Sequence, residues 1–138
     1  MSIAKADVEA IKFVEYVLDT KAKSMLSSWQ TYADVNTAIG NFKSADFNFF
    51  VDNEEIFNTT LSELETTIPE TIDTAPIMAR LLVLKTKLLK LKQELELTSS
   101  SKTQRLQALK EVFEANTNVI LQINKKYEKE AQKITNPY

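Results

Sequence analysis

The chain has 138 residues, 43% hydrophobic and 26% charged, with a formal net charge of −2, no Cys, no His, one Gly and three Pro. That is enough apolar material for one packed domain. Lack of Cys and His excludes disulfides, thiolate nucleophiles, zinc–thiolate and iron–sulfur sites, and the commonest general base. One glycine is also too few for a sheet protein built on tight hairpin turns, or for a phosphate-cradling glycine loop.

The predicted elements are all helical. Ile11, Leu18, Met25, Tyr32 and Ile39 recur every seven residues, and Val8, Val14, Ala22, Trp29 and Val35 fill the positions between. A stripe of that period predicts a first long helix over residues 4–39. Gly40 follows the stripe and is expected to end this helix as a left-handed C′ residue. Residues 41–51 hold Phe42, Phe47, Phe49, Phe50 and Val51; they read equally as a loop folded over the bundle end or as the first turns of the next helix. Asp52 with Glu55 has the form of a capping box and starts a second, shorter helix over 53–68, which carries Phe57, Leu61, Leu64 and Ile68 and stops at Pro69.

Thr74 and Pro76 mark the start of a third helix over 75–97. Its stripe is Ile77, Leu81, Leu84, Leu88, Leu91 and Leu95, with Met78, Leu82 and Leu89 expected to widen it. Thr98–Ser101 breaks the pattern, and Ser101 with Gln104 forms a second capping box. The fourth helix, over 102–133, carries Leu106, Leu109, Phe113, Asn116, Ile120, Ile123, Tyr127 and Ile134, and residues 136–138 close the chain as a frayed end. Short connections make the last three helices antiparallel neighbours. The expected fold is therefore all-α: one domain over 1–138, an antiparallel up-and-down helical bundle of three long helices and one shorter one.

Charge is unevenly placed. Residues 1–43 carry five bases and five acids, residues 44–79 eight acids and no base, and residues 80–138 twelve bases and six acids. This balance does not call for a nucleic-acid partner. The longest apolar run, Leu81–Leu84, is far short of the about 20 residues of a membrane span, and Met1–Lys5 is not followed by the apolar core of a signal peptide.

Few residues suggest chemistry. Glu15 and Glu130 flank the stripes of the first and fourth helices, where solvated charge is the expected role, and Glu54/Glu55, Glu94/Glu96 and Glu128/Glu130 are too close in sequence to face one another on a helix. The expectation is a non-enzymatic protein without a catalytic, cofactor or metal site. Asn116 is the one polar residue in the middle of an apolar stripe, which is the position of a buried amide that fixes register; together with Trp29 and Tyr32 it is also the candidate wall of a small apolar ligand pocket. The third helix supplies Arg80, Lys85, Lys87, Lys90 and Lys92 without an intervening acid. These could meet an anionic membrane surface, or they could simply face solvent and the acidic second helix.

The stretch Thr67-Ile68-Pro69-Glu70 through Ala79-Arg80-Leu81-Leu82-Val83-Leu84, continued from Lys85 to Leu91, resembles the mature part of small helical lipoprotein-type proteins of Bacteroidetes cell envelopes. The resemblance implies a periplasmic or envelope location if a signal or lipid anchor has been removed; otherwise a cytoplasmic one is expected. The functional expectation is a structural or protein-interaction module, with protein partners or self-association. The alternatives are a bundle that binds a small apolar ligand and an anionic-surface binder.

If the leucines of the third helix are core, Leu88→Ala costs about 2–5 kcal/mol, and Lys87→Glu with Lys90→Glu costs well under that, since exposed charges are screened. Thermal melts of the two variants decide the point: a Leu88→Ala protein as stable as the parent would remove this helix from the core.

Overall fold

A computed structural model of the chain describes residues 2–51 and 54–135, with side chains through residue 132. The regular elements among the described residues are all helices, with no strand. The spine is a hairpin of two long helices, α6 (Ala75–Glu96) and α7 (Lys102–Thr135). Thr74 opens α6 by accepting the Ile77 N–H on its hydroxyl, with Pro76 in the first turn. Ser101 and Gln104 open α7 reciprocally: the Gln104 N–H donates to Ser101 Oγ at 3.1 Å, and the Ser101 N–H donates to Gln104 Oε1 at 2.8 Å. Arg105 turns back across the connection, donating to the carbonyls of Glu94 (3.1 Å) and Leu97 (2.8 Å), which are orphans of the α6 C-terminus. Lys87 meets Glu111 further along, so the two helices run antiparallel. Leu81, Leu84, Leu88 and Leu91 of α6 and Leu109, Val112, Val119 and Ile123 of α7 are fully buried in the core this hairpin shares with the rest of the chain.

The remaining elements cover this hairpin. The first half of the chain forms α1 (Lys5–Glu9), α2 (Thr20–Lys23), a 3₁₀ turn over Ser24–Ser28 and α3 (Gln30–Phe42). After it come α4 (Asn48–Val51), α5 (Glu54–Thr66) and a 3₁₀ turn over Glu70–Ile72. Phe42, Phe47, Phe49, Phe50 and Phe57 stack and edge against one another with ring centroids 5.1–6.4 Å apart, tying α3, α4 and α5 together. The segment that read as either loop or helix is thus both: a turn after α3, then α4 within an aromatic cluster. The expected cap at Asp52 and the chain end at 136–138 lie outside the described residues.

The largest departure from the sequence reading is the first helix. Instead of one helix over 4–39, residues 11–19 form an extended strap along α7. Two contacts explain why. Phe13 stacks on Phe113 with centroids 5.0 Å apart, and the Asp19 N–H donates to Asn124 Oδ1 at 2.9 Å. Phe113 and Asn124 are about 16 Å apart along their helix at 1.5 Å per residue. Six residues of helix would span only about 9 Å, whereas six extended residues span about 20 Å. The local sequence Ile-Lys-Phe-Val-Glu-Tyr-Val is also β-branched and aromatic, which favours extended backbone. Straightening the chain leaves Val14 69% and Val17 72% exposed, so Val14 is not a core residue. Nor do Leu82 and Leu89 widen the α6 stripe; each is close to half exposed. Only two helices are long, against the three expected.

Gly40 does not end a helix. It lies inside α3 with ordinary negative φ. The helix ends at Phe42, and in the turn that follows Ala45 takes φ 60°. There the Ala45 N–H donates to the Phe42 carbonyl and the Asp46 N–H to the Asn41 carbonyl, the paired bonds of a Schellman end. Ala45 therefore carries the left-handed strain that glycine avoids, and Gly40 carries the helix-interior cost that alanine avoids. Ala45→Gly and Gly40→Ala should each stabilise the protein, by about 0.5–1 kcal/mol. Denaturant melts of the two single variants check this, and a loss of stability in Ala45→Gly would contradict the assigned helix end.

Candidate functional site

A half-open cleft of about 430 Å³ lies between the strap, α3 and α7. The strap contributes Phe13, Glu15, Tyr16, Val17 and Leu18. From α3 come Asn36, Ile39, Gly40 and Lys43, one turn apart or adjacent on a single face; from α7 come Phe113, Asn116, Thr117 and Ile120, again at helical spacing. Lys23 and Leu26 close one side.

Behind the cleft is a chain of hydrogen bonds. The Tyr32 hydroxyl donates to Asn116 Oδ1 at 2.8 Å, and Asn116 Nδ2 donates to Asn36 Oδ1 at 3.0 Å. Complete burial pushes the Tyr32 phenol far above its ordinary value, so it stays protonated and remains a donor. Trp29, also fully buried, stacks on Tyr32 at 4.7 Å, and its Nε1 has no acceptor among the described residues. Of the three residues singled out from sequence as a pocket, only Asn116 reaches the cleft. Trp29 and Tyr32 belong to the core, and Asn116 joins the two regions.

The strap is held by a small set of bonds. The Tyr16 N–H donates to Thr117 Oγ1 at 2.6 Å, and Asn124 both accepts from the Asp19 N–H and donates to the Val17 carbonyl at 2.9 Å. Glu15 pairs with Lys43, joining the strap to α3. Asp7 pairs with Lys102 at 2.9 Å near the start of α7. Sequence reasoning missed Asn36, Gly40, Thr117 and Lys23 as cleft residues. The signal within reach was the β-branched and aromatic run at 11–18, which argues against a helix there and so opens space beside α7.

The cations of α6 do not form a bare basic face. Lys85 pairs with Glu65 of α5, Lys87 and Lys90 lie 2.8 and 3.8 Å from Glu111 of α7, and Lys92 pairs with Glu96. Lys92 also sits 5.6 Å from the centre of the Phe57 ring, a cation–π distance. Arg80 is exposed. Glu15 and Glu130, flanking charges by sequence, pair with Lys43 and Lys126. A second, shallower cavity of about 380 Å³ lies between Phe47, Phe50 and Val51 and the end of α6. No helix among the described residues is long and apolar enough to cross a membrane.

Comparison with protein-family models, with curated proteins and with solved structures finds no match for this chain.

The hydrogen bond from Lys87 holds the Glu111 carboxyl below the usual carboxylate range, helped by the charges of Lys87 and Lys90 and opposed by partial burial. Since the folded value is depressed, this pair adds stability above the unfolded value near 4.5, and the contribution is lost as pH falls through the folded value. Lys87→Met should therefore lower the melting temperature at pH 7 but converge on the parent at pH 2. A constant difference between the two across that range would mean that the loss comes from packing and not from charge.

Proposed function

We propose that the protein is a non-enzymatic binding module, an antiparallel helical bundle whose cleft between the strap, α3 and α7 receives a small, mainly apolar ligand. The observation that carries the reading is the position of Gly40. In a chain with one glycine, that residue stands inside a helix, at ordinary φ, facing the cleft, and a Cβ built there meets nothing within 4 Å. Neither backbone conformation nor crowding by the protein calls for glycine at this point. A ligand lying against α3 does, because its close approach to the backbone would be blocked by a side chain.

The dimensions support the same reading. Ligand pockets are typically about 300–1,000 Å³, apolar with a few convergent polar groups. Here Phe13, Leu18, Leu26, Ile39, Phe113 and Ile120 supply the apolar wall, and Asn36, Asn116 and Thr117 the polar groups. At about 30 Å³ for a water-sized group, the space takes roughly ten to fourteen non-hydrogen atoms.

A second reading, a protein-interaction module, draws support from Leu82, Val83 and Leu89, which stand 42–48% exposed on the outer face of α6. Contact with an anionic surface through α6 has less support, because Lys85, Lys87, Lys90 and Lys92 already have carboxylate partners.

Octan-1-ol, of a size that fits the cleft, is a suitable probe. It should bind the parent saturably and raise its melting temperature, with a dissociation constant between millimolar and micromolar, about −4 to −8 kcal/mol, and it should bind Gly40→Ala more weakly, because the added Cβ stands between ligand and backbone. Gly40→Leu fills the space in front of α3 and should abolish the response while melting no lower than the parent. Equal binding by Gly40→Leu would overturn the reading.

A further inference from the structure

We propose that the ligand of this cleft is an anion, a carboxylate on an apolar body of roughly ten atoms. The inference rests on the ligand-binding reading above and adds to it the charge and hydrogen-bonding character of the ligand.

The argument follows the hydrogen atoms. Buried Tyr32 donates to Asn116 Oδ1, which turns that oxygen toward the core and fixes the orientation of the amide. Asn116 Nδ2 then spends one hydrogen on Asn36 Oδ1 and keeps a second. Asn36, its oxygen occupied in turn, has both of its own amide hydrogens left. Thr117 Oγ1 accepts the Tyr16 N–H and keeps its own proton to donate. Asn116 and Thr117 are each 7% exposed, which places these donors at a largely dehydrated surface. The relay that begins at Tyr32 thus turns the two amide oxygens toward donors of the chain itself and leaves amide hydrogens for the cleft.

Charge points the same way. Two lysines and one glutamate line the cleft. Glu15 is neutralised by Lys43. Lys23 is exposed and has no ion-pair partner among the described residues, so it gives the cleft a net positive charge. Donors at a dry surface beside a free ammonium favour an ionised acceptor over a neutral one, because hydrogen bonds to ionised groups are about twice as strong as neutral ones. The apolar side chains opposite exclude a small inorganic anion as the whole ligand and call for a hydrocarbon or aryl body.

The test compares three probes of one chain length by calorimetry at pH 7: octanoate, octan-1-ol and octylammonium. Octanoate should bind at least tenfold more tightly than octan-1-ol, and octylammonium more weakly than either. Asn36→Asp keeps the acceptor that Asn116 uses but replaces the donors with negative charge, and Lys23→Gln removes the free cation. Each should weaken octanoate about tenfold and so narrow its preference over octan-1-ol. Equal affinity for octanoate and octan-1-ol, tighter binding of octylammonium, or an octanoate preference that survives both variants would overturn the inference and leave the apolar cleft standing. If none of the three probes binds the parent protein, the ligand-binding reading itself falls, and this inference with it.

Discussion

The fold depends on covering one helix. Helix α7 packs against α6 along one side, and the side that α6 leaves open has to be covered by other elements. The apolar stripe of α7 continues to Ile120 and Ile123, both buried. Leaving such residues in water would forfeit about 1.5–3 kcal/mol apiece. Part of that cover comes from the first half of the chain: its strap lies along α7 from Phe113 to Asn124, and α2 and α3 contact the same helix. An extended strand gives about twice the reach per residue of a helix. Nine residues of strap can therefore span a surface that helical backbone of the same length could not.

That economy accounts for where the sequence was legible and where it misled. The stripe Leu18, Met25, Tyr32 and Ile39 is buried throughout, as is Ala22, Trp29 and Val35 between. Yet only its later part is α-helical, because burial requires that these residues face the hairpin and not that one regular helix present them. A sevenfold spacing can be met by α2, a 3₁₀ turn and α3 in succession. At Val14 the loss of helix becomes visible, since the strap turns Phe13 and Leu18 inward and leaves that side chain in solvent. In α6 and α7 the periodicity and the cap residues agree at each end, and the elements begin at Ala75 and Lys102 beside their capping residues. Local signals carried most weight where packing, propensity and capping all pointed the same way.

The glycine illustrates a different failure. Sequence rules place glycine at helix ends because positive φ is its commonest use. Here the positive φ falls on Ala45, and Gly40 lies inside α3 facing open space in the cleft, a property of tertiary structure that no local rule reads. Asn116 was legible as a buried amide, since a polar residue within an apolar stripe must find partners or pay desolvation. Its actual partners were not. Tyr32 and Asn36 lie 84 and 80 residues away in sequence, and only the packing of α3 on α7 brings them together.

The same atoms therefore serve the fold and the cleft. The Tyr32 hydroxyl satisfies a buried amide and, in doing so, decides which end of that amide is left to face a ligand. Thr117 anchors the strap by accepting the Tyr16 N–H and keeps its own proton to donate. Residues 12–18 make no backbone-to-backbone hydrogen bond among the described residues, and the strap holds its place through side chains: Phe113, Thr117 and Asn124 on α7, and Lys43 on α3. One wall of the cleft is thus fixed by a few specific contacts and the other two by extensive helix packing. Walls of such unequal stability make the cleft depend on strap docking: whatever strengthens the strap on α7 also defines the cleft, and the ligand proposed above, bridging strap and helices, would add to the contacts that hold the strap down.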